Sequence, residues 1–179
     1  IANVIRSEKV KRAIEKLLNE NDGLILGICN GFQALIKTGL LPYGEIKELK
    51  EEDPTLTYNT CTRHIARVVD TVVMSNNSPW LSKLEVGKTY KVPVSHGEGR
   101  LIASEEKIKE MLDNEQIAIC YEDAPNGSAL NVEALMSKDG KILGKMGHSE
   151  RVTEDTFKNI DGIELEDIFT AGVEFFKKD

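Results

Sequence analysis

Leu24-Ile25-Leu26-Gly27-Ile28-Cys29-Asn30-Gly31-Phe32-Gln33-Ala34-Leu35-Ile36 is the stretch on which both fold and chemistry turn. Its apolar start, 24–28, reads as a short buried strand, and Phe32 to Ile36 reads as the opening of a helix. Between them, Gly27-Ile28-Cys29-Asn30-Gly31 is the cysteine form of the nucleophile elbow, whose serine form is Gly-x-Ser-x-Gly. Small flanking residues suit such a turn, because it holds the nucleophile in a strained backbone geometry that a Cβ would crowd. The turn also sets the sulfur at a helix N-terminus, where the dipole favours thiolate over thiol. Taken alone, the pentapeptide is equally open to a second reading, a buried structural cysteine between helix-packing glycines.

A cysteine nucleophile needs a base to move its proton, and the base needs a partner to orient it. Gly147-His148-Ser149-Glu150-Arg151 follows the apolar run Ile142-Leu143-Gly144-Lys145-Met146. Its spacing lets His148 and Glu150 serve one site at the end of a strand. His96 and Glu98, in Ser95-His96-Gly97-Glu98-Gly99, show the same spacing and compete for the role.

Around these motifs the chain alternates helix and strand. Residues 7–21 carry Val10, Ala13, Ile14, Leu17 and Leu18 at helical spacing, with Ser7 as N-cap. The helix after the elbow closes near Gly39, and charged residues 45–55 form a loop. Strands are predicted over 56–59, 65–74, 89–95 and 116–121. A helix is predicted over 104–112, with Ile108, Met111 and Leu112 inward. Residues 130–136 and 142–146 flank Asp139-Gly140, a hairpin signal, and 164–177 reads as a C-terminal amphipathic helix. The expected architecture is α/β, a mixed sheet with an antiparallel portion in its middle and helices on both faces.

Composition bounds the function. At 179 residues, one domain over 1–179 is the expectation. A net charge of −7 without a basic cluster argues against nucleic acid or an anionic membrane as partner. No apolar stretch reaches the length of a membrane span. Three scattered cysteines, Cys29, Cys61 and Cys120, fit a reducing, cytoplasmic setting and suggest neither a disulfide framework nor a metal site.

The blocks 27–44 (GICNGFQALIKTGLLPYG), 59–69 (NTCTRHIARVV), 75–81 (SNNSPWL), 92–100 (VPVSHGEGR), 125–151 (PNGSALNVEALMSKDGKILGKMGHSER) and 168–176 (IFTAGVEFF) carry a resemblance that covers nearly the whole chain. It resembles the class I glutamine amidotransferases, and among them the glutaminase domains of phosphoribosylformylglycinamidine synthases. The resemblance implies a flavodoxin-like mixed sheet and a triad of Cys29, His148 and Glu150. It also implies glutamine hydrolysis through a thioester, with the ammonia used to convert formylglycinamide ribonucleotide to its amidine. Gln33, the Asn30 backbone N–H, His96 and Gly97 are expected at the glutamine pocket. Ser149 stands where the family usually carries proline. By the same resemblance the partner is a synthetase portion, fused or separate, which would hold ATP and Mg²⁺. The present chain has no Gly-x-x-x-x-Gly-Lys-Ser/Thr loop for ATP and is expected to need no cofactor or metal.

The chain begins with Ile1, and its first segment matches a region well inside the family domain. The first sheet strands and a glycine-rich loop that donates to the oxyanion are therefore expected to lie outside it, leaving weak activity or none in this segment alone. Two rival readings stand beside the amidotransferase: a γ-glutamyl hydrolase or peptidase on the same scaffold, and a non-catalytic module that docks onto a synthetase. Arg63 and His64 are read as structural or as facing the synthetase, Trp80 as a packing anchor, and Cys61 and Cys120 as inert.

Overall fold

The computed structural model describes residues 1–177. Helices α1 (Ala2–Ile5) and α2 (Glu8–Asn19) lead into β1 (Ile25–Ile28), α3 (Asn30–Thr38) and a single turn, α4 (Leu40–Tyr43). Then come β2 (Thr55–Tyr58), β3 (Ile65–Val73), β4 (Thr89–His96), β5 (Glu98–Ile102) and α5 (Glu105–Asp113). The chain continues through β6 (Ile117–Tyr121), β7 (Val132–Met136), β8 (Ile142–Lys145) and α6 (Ile168–Glu174).

Six strands form one sheet in the order β1-β8-β7-β6-β3-β4, and β2 pairs with β5 in a separate two-stranded ribbon. Only β1 and β8 are parallel, with Ile28 opposite Lys145; every other pairing in the large sheet is antiparallel. The antiparallel portion thus runs from β8 to the far edge instead of occupying only the middle. Successive residues of a strand face opposite ways, so Ile142 joins one core and Leu143 the other. Leu18 of α2, Phe32, Leu35 and Ile36 of α3 and Met111 of α5 fill the first core. Ile168 of α6 and the turn at Leu81 close the second.

Several elements depart from the sequence reading, which predicts neither α1 nor β5. β1 lies at a sheet edge, and its residues other than Gly27 are only half-buried. In α5 the inward stripe is Met111, while Leu112 turns to solvent. The last helix starts only at Ile168, because Glu166 is drawn into the interior by the buried ammonium of Lys145. Ser7 does sit at the N-cap of α2, yet its hydroxyl donates backward to the Val4 carbonyl instead of capping. Trp80 acts as an anchor: its indole N–H reaches the carbonyls of Ile25 (3.1 Å) and Lys141 (3.3 Å), and its ring lies against Gly172. Among the described residues no helix is long and apolar enough to cross a membrane.

Candidate active site

β1, β8 and β4 all run in the same direction, so their C-terminal ends lie along one side of the sheet. In open α/β sheets that side is where ligands bind. Cys29 leaves β1 there and Gly147-His148 leaves the neighbouring β8, with the Cys29 N–H still bonded to the Lys145 carbonyl (2.8 Å). Two sequence-distant motifs are thereby brought to adjacent strand ends. His96, the last residue of β4, is on the same side.

Cys29 has φ 52° and ψ −106°, a backbone conformation that side-chain-bearing residues rarely occupy. Strand thus passes to helix α3 within one residue. A Cβ on Gly27 would meet the backbone of Gly31 at 2.8 and 2.9 Å, so the elbow requires glycine at 27. A Cβ on Gly31 would meet nothing within 4 Å. The crowding argued from the motif holds for the first glycine alone; the second contributes its slim backbone to the contact.

The thiol is half-buried, with its sulfur 3.9 Å from the Ser95 carbonyl. Burial pushes its pKa up, against the lowering effects of the Asn30 N–H and the Arg151 guanidinium, while Glu150 adds to the rise. The preference for thiolate expected from the helix end is therefore outweighed in the free protein. Desolvation costs the charge more than the first turn of α3 returns.

His148 is buried, and its own N–H bonds the Pro93 carbonyl of β4 (2.8 Å). Nδ1 lies 2.5 Å from the Glu150 carboxylate. A carboxylate only accepts, so Nδ1 is the donor of this bond and Nε2 is left to face the site. That Nε2 is buried and has no hydrogen-bond partner among the described residues, as is also true of His96 Nε2.

The competing pair at 96 and 98 does not form. His96 Nδ1 is bonded to the Asn59 side-chain oxygen (3.1 Å), not to Glu98. Burial, then the neighbouring His64 and His148, hold the His96 pKa down at about 4, so its ring is neutral throughout the physiological range. A general base works best with a pKa near the operating pH, which disfavours His96 for that task.

Beside Cys29 lies an open, polar-lined cleft of about 470 Å³. Cys29, Asn30 and Gln33 line it from α3, and Ser95, His96, Gly97 and Glu98 from the turn between β4 and β5. Tyr58, Thr62, Arg63 and His64 close the remaining side, so Arg63 and His64 face this cleft. Gln33 is part of the wall's own bracing: its amide donates to the Glu98 carbonyl (3.2 Å). The residue that sequence reasoning missed is Asn59. Its side-chain amide donates to the carbonyls of Arg63 and His96 (2.9 Å each), and its backbone N–H donates to the Gly97 carbonyl (3.0 Å). An Asn directly after a strand and before a Thr-Cys-Thr turn was the available signal, since such side chains bond nearby backbone.

A sheet carrying a cysteine elbow at one strand end and a His–Glu pair at the next is the arrangement expected of a class I glutamine amidotransferase. The chain belongs to that family: residues 1–178 match the domain described as CobB/CobQ-like glutamine amidotransferase. Two curated relatives, phosphoribosylformylglycinamidine synthase subunits PurQ from two strains of Prochlorococcus marinus, are each 34% identical to it. One match covers 90% of this chain and 69% of the relative, the other 78% and 58%. The solved structure of PurLQS from Thermotoga maritima contains a chain that superposes with a TM-score of 0.75 at 29% identity. That match covers 98% of this chain and 72% of the other.

Proposed function

We propose that the chain is a glutaminase, one domain over 1–179, that supplies ammonia to phosphoribosylformylglycinamidine synthesis in the purine pathway. Support comes from the PurQ relatives, and the carrying observation is the placement, at the ends of adjacent strands, of a strained, half-buried Cys29 and a His148 whose Nε2 has no partner among the described residues.

In this reading glutamine enters the cleft with its carboxamide over Cys29. His148 Nε2 takes the thiol proton as the sulfur attacks the carboxamide carbon. The Asn30 N–H, now facing the sulfur, bonds the developing oxyanion. Collapse breaks the C–N bond, and imidazolium His148 gives its proton to the leaving nitrogen, releasing ammonia and leaving a γ-glutamyl thioester. Water, deprotonated by the same nitrogen, attacks the thioester; the C–S bond breaks, the imidazolium returns its proton to the Cys29 sulfur, and glutamate departs. Glu150 holds the imidazole and stabilises its charged form. Gln33, His96 and Gly97 shape the pocket. The raised thiol pKa suits this cycle, because the proton moves only when substrate is in place.

The partner is a synthetase in which ATP and Mg²⁺ serve the phosphoryl chemistry; no step of the glutaminase half requires them. Cytoplasmic residence belongs to the same proposal. The test is intact-mass analysis after exposure to an electrophilic glutamine analogue, with peptide mapping of the adduct. A single adduct on Cys29, suppressed by excess glutamine and absent from Cys29→Ala, is the expected outcome. Labelling elsewhere, or protection by γ-glutamyl peptides but not by glutamine, would overturn the assignment.

A further inference from the structure

Beneath the His148–Glu150 turn lies a set of charged groups that the reaction itself does not use. Lys145, the last residue of β8, is wholly buried. Its ammonium donates to the Ser149 hydroxyl (2.7 Å) and to the carboxylate of Glu166. The Ser149 hydroxyl in turn donates to the same Glu166 oxygen, which closes a triangle of three side chains. One residue before His148, the Gly147 N–H donates to buried Glu133 (2.5 Å). The chain on both sides of His148 is therefore tied to a buried carboxylate, through the backbone N–H of Gly147 to Glu133 and through the side-chain hydroxyl of Ser149 to Glu166.

Stability alone is a weak reason for such a cluster. Buried ion pairs seldom outperform an apolar packing of the same volume. Here one oxygen of Glu133 and one of Glu166 are also buried without a partner among the described residues, a further cost. The clasp is built closely as well: a Cβ on Gly147 would lie 2.7 Å from Glu133 and 2.6 Å from Val92. Serine at 149 lacks the fixed φ that a proline would impose; its hydroxyl bonds to Lys145 and Glu166 hold the position together with the Val152 N–H donating to the Ser149 carbonyl (3.2 Å).

We propose that Glu133, Lys145, Ser149 and Glu166 are positioning residues for the glutaminase reaction, holding the Gly147 backbone and the Ser149 side chain on either side of His148 so that His148 and Glu150 keep their geometry. The inference rests on His148 and Glu150 being the base and its orienter.

The experiment uses the full-length protein assembled with its synthetase, measuring glutamine-dependent and ammonia-dependent synthesis and thermal melting. Ser149→Ala is expected to lower the glutamine-dependent kcat by about 10-fold to 100-fold, the scale on which a displaced catalytic group is felt. KM for glutamine and the ammonia-dependent rate should stay within about twofold, since a misaligned base impairs turnover more than binding. Ser149→Thr, which keeps the hydroxyl, should recover most of the loss. A Ser149→Ala rate within twofold of wild type, or a loss that Ser149→Thr does not repair, overturns the inference. Should Ser149→Ala unfold, the paired Lys145→Met, Glu166→Met variant decides, because it removes both charges together. A folded pair with full glutamine-dependent kcat overturns the clamp, and a folded pair with lowered kcat and unchanged KM supports it. A wild-type complex active with ammonia but inactive with glutamine would refute the site reading itself, a result distinguishable from failure of the clamp.

Discussion

At the scale of single residues, the resting state of Cys29 is set by a contest between burial and the charges around it. Burial wins, so the thiol's pKa is raised, and its thiolate is lost at a higher pH than that of a free cysteine as pH falls. Alkylation of Cys29 by iodoacetamide in the free protein should therefore rise through a midpoint above about 8.5, the value of an ordinary thiol. Arg151→Ala should move that midpoint further up, because the guanidinium is one of the two groups lowering it. A wild-type midpoint below 8.5 would show that the helix end, not burial, dominates. Cys120 is a useful internal control: burial, then Glu133, push its pKa up to about 11, so it should stay unmodified while Cys29 reacts.

At the scale of elements, the elbow makes a sharp distinction between its two glycines. Gly27→Ala must push the Gly31 backbone or the Leu35 side chain aside and is expected to cost about 1–3 kcal/mol, as overpacking does. Gly31→Ala has open space and a helical position, and should be neutral or stabilise by up to about 1 kcal/mol. Urea denaturation of both variants checks the pair. The elbow was legible because its signal is local: an apolar run, a Gly-x-Cys-x-Gly turn and a helical pattern in succession. Of the β2–β5 ribbon, β2 was legible as the strand read over 56–59, but β5 was not, since Glu98-Gly99-Arg100 carries no alternating apolar pattern. It becomes a strand because Leu101 packs inward and the Asn126-Ser128 turn supports it through Ser128, which accepts from the Leu101 N–H (2.9 Å). The C-terminal helix was overdrawn for a related reason: apolar periodicity continued through Leu165, but Glu166 had a tertiary partner that periodicity does not encode.

At the scale of the whole molecule, the strand-end positions of the candidate triad residues Cys29, His148 and Glu150 could be read in advance because each sits in a recognisable local motif. The support beneath them could not. Glu133, Lys145 and Glu166 are charged, and charged residues in a sequence read as solvated surface; only the fold reveals them in the interior. Their burial has a pH signature. Glu133 is pushed up to about 7 by burial, against the pull of Lys145 and with Glu166 adding to the rise. A carboxyl raised in the fold favours the folded state below its unfolded value of 4.5, and that contribution is lost as pH climbs through about 7. The melting temperature of the wild type relative to Glu133→Gln should accordingly fall between pH 5 and pH 8. A difference that stays flat or rises would mean that Lys145 keeps Glu133 ionised throughout.

The placement of Trp80 gives the molecule a built-in optical gauge. It is the chain's single tryptophan, and its indole spans the carbonyls of Ile25 and Lys141, at the foot of the two parallel strands whose other ends carry Cys29 and His148. Its emission colour therefore follows how well those strands stay together, with no dye attached. Cys29→Ala should leave the spectrum where it is, whereas Gly27→Ala, by prying at the same strand pair, should move it toward the red.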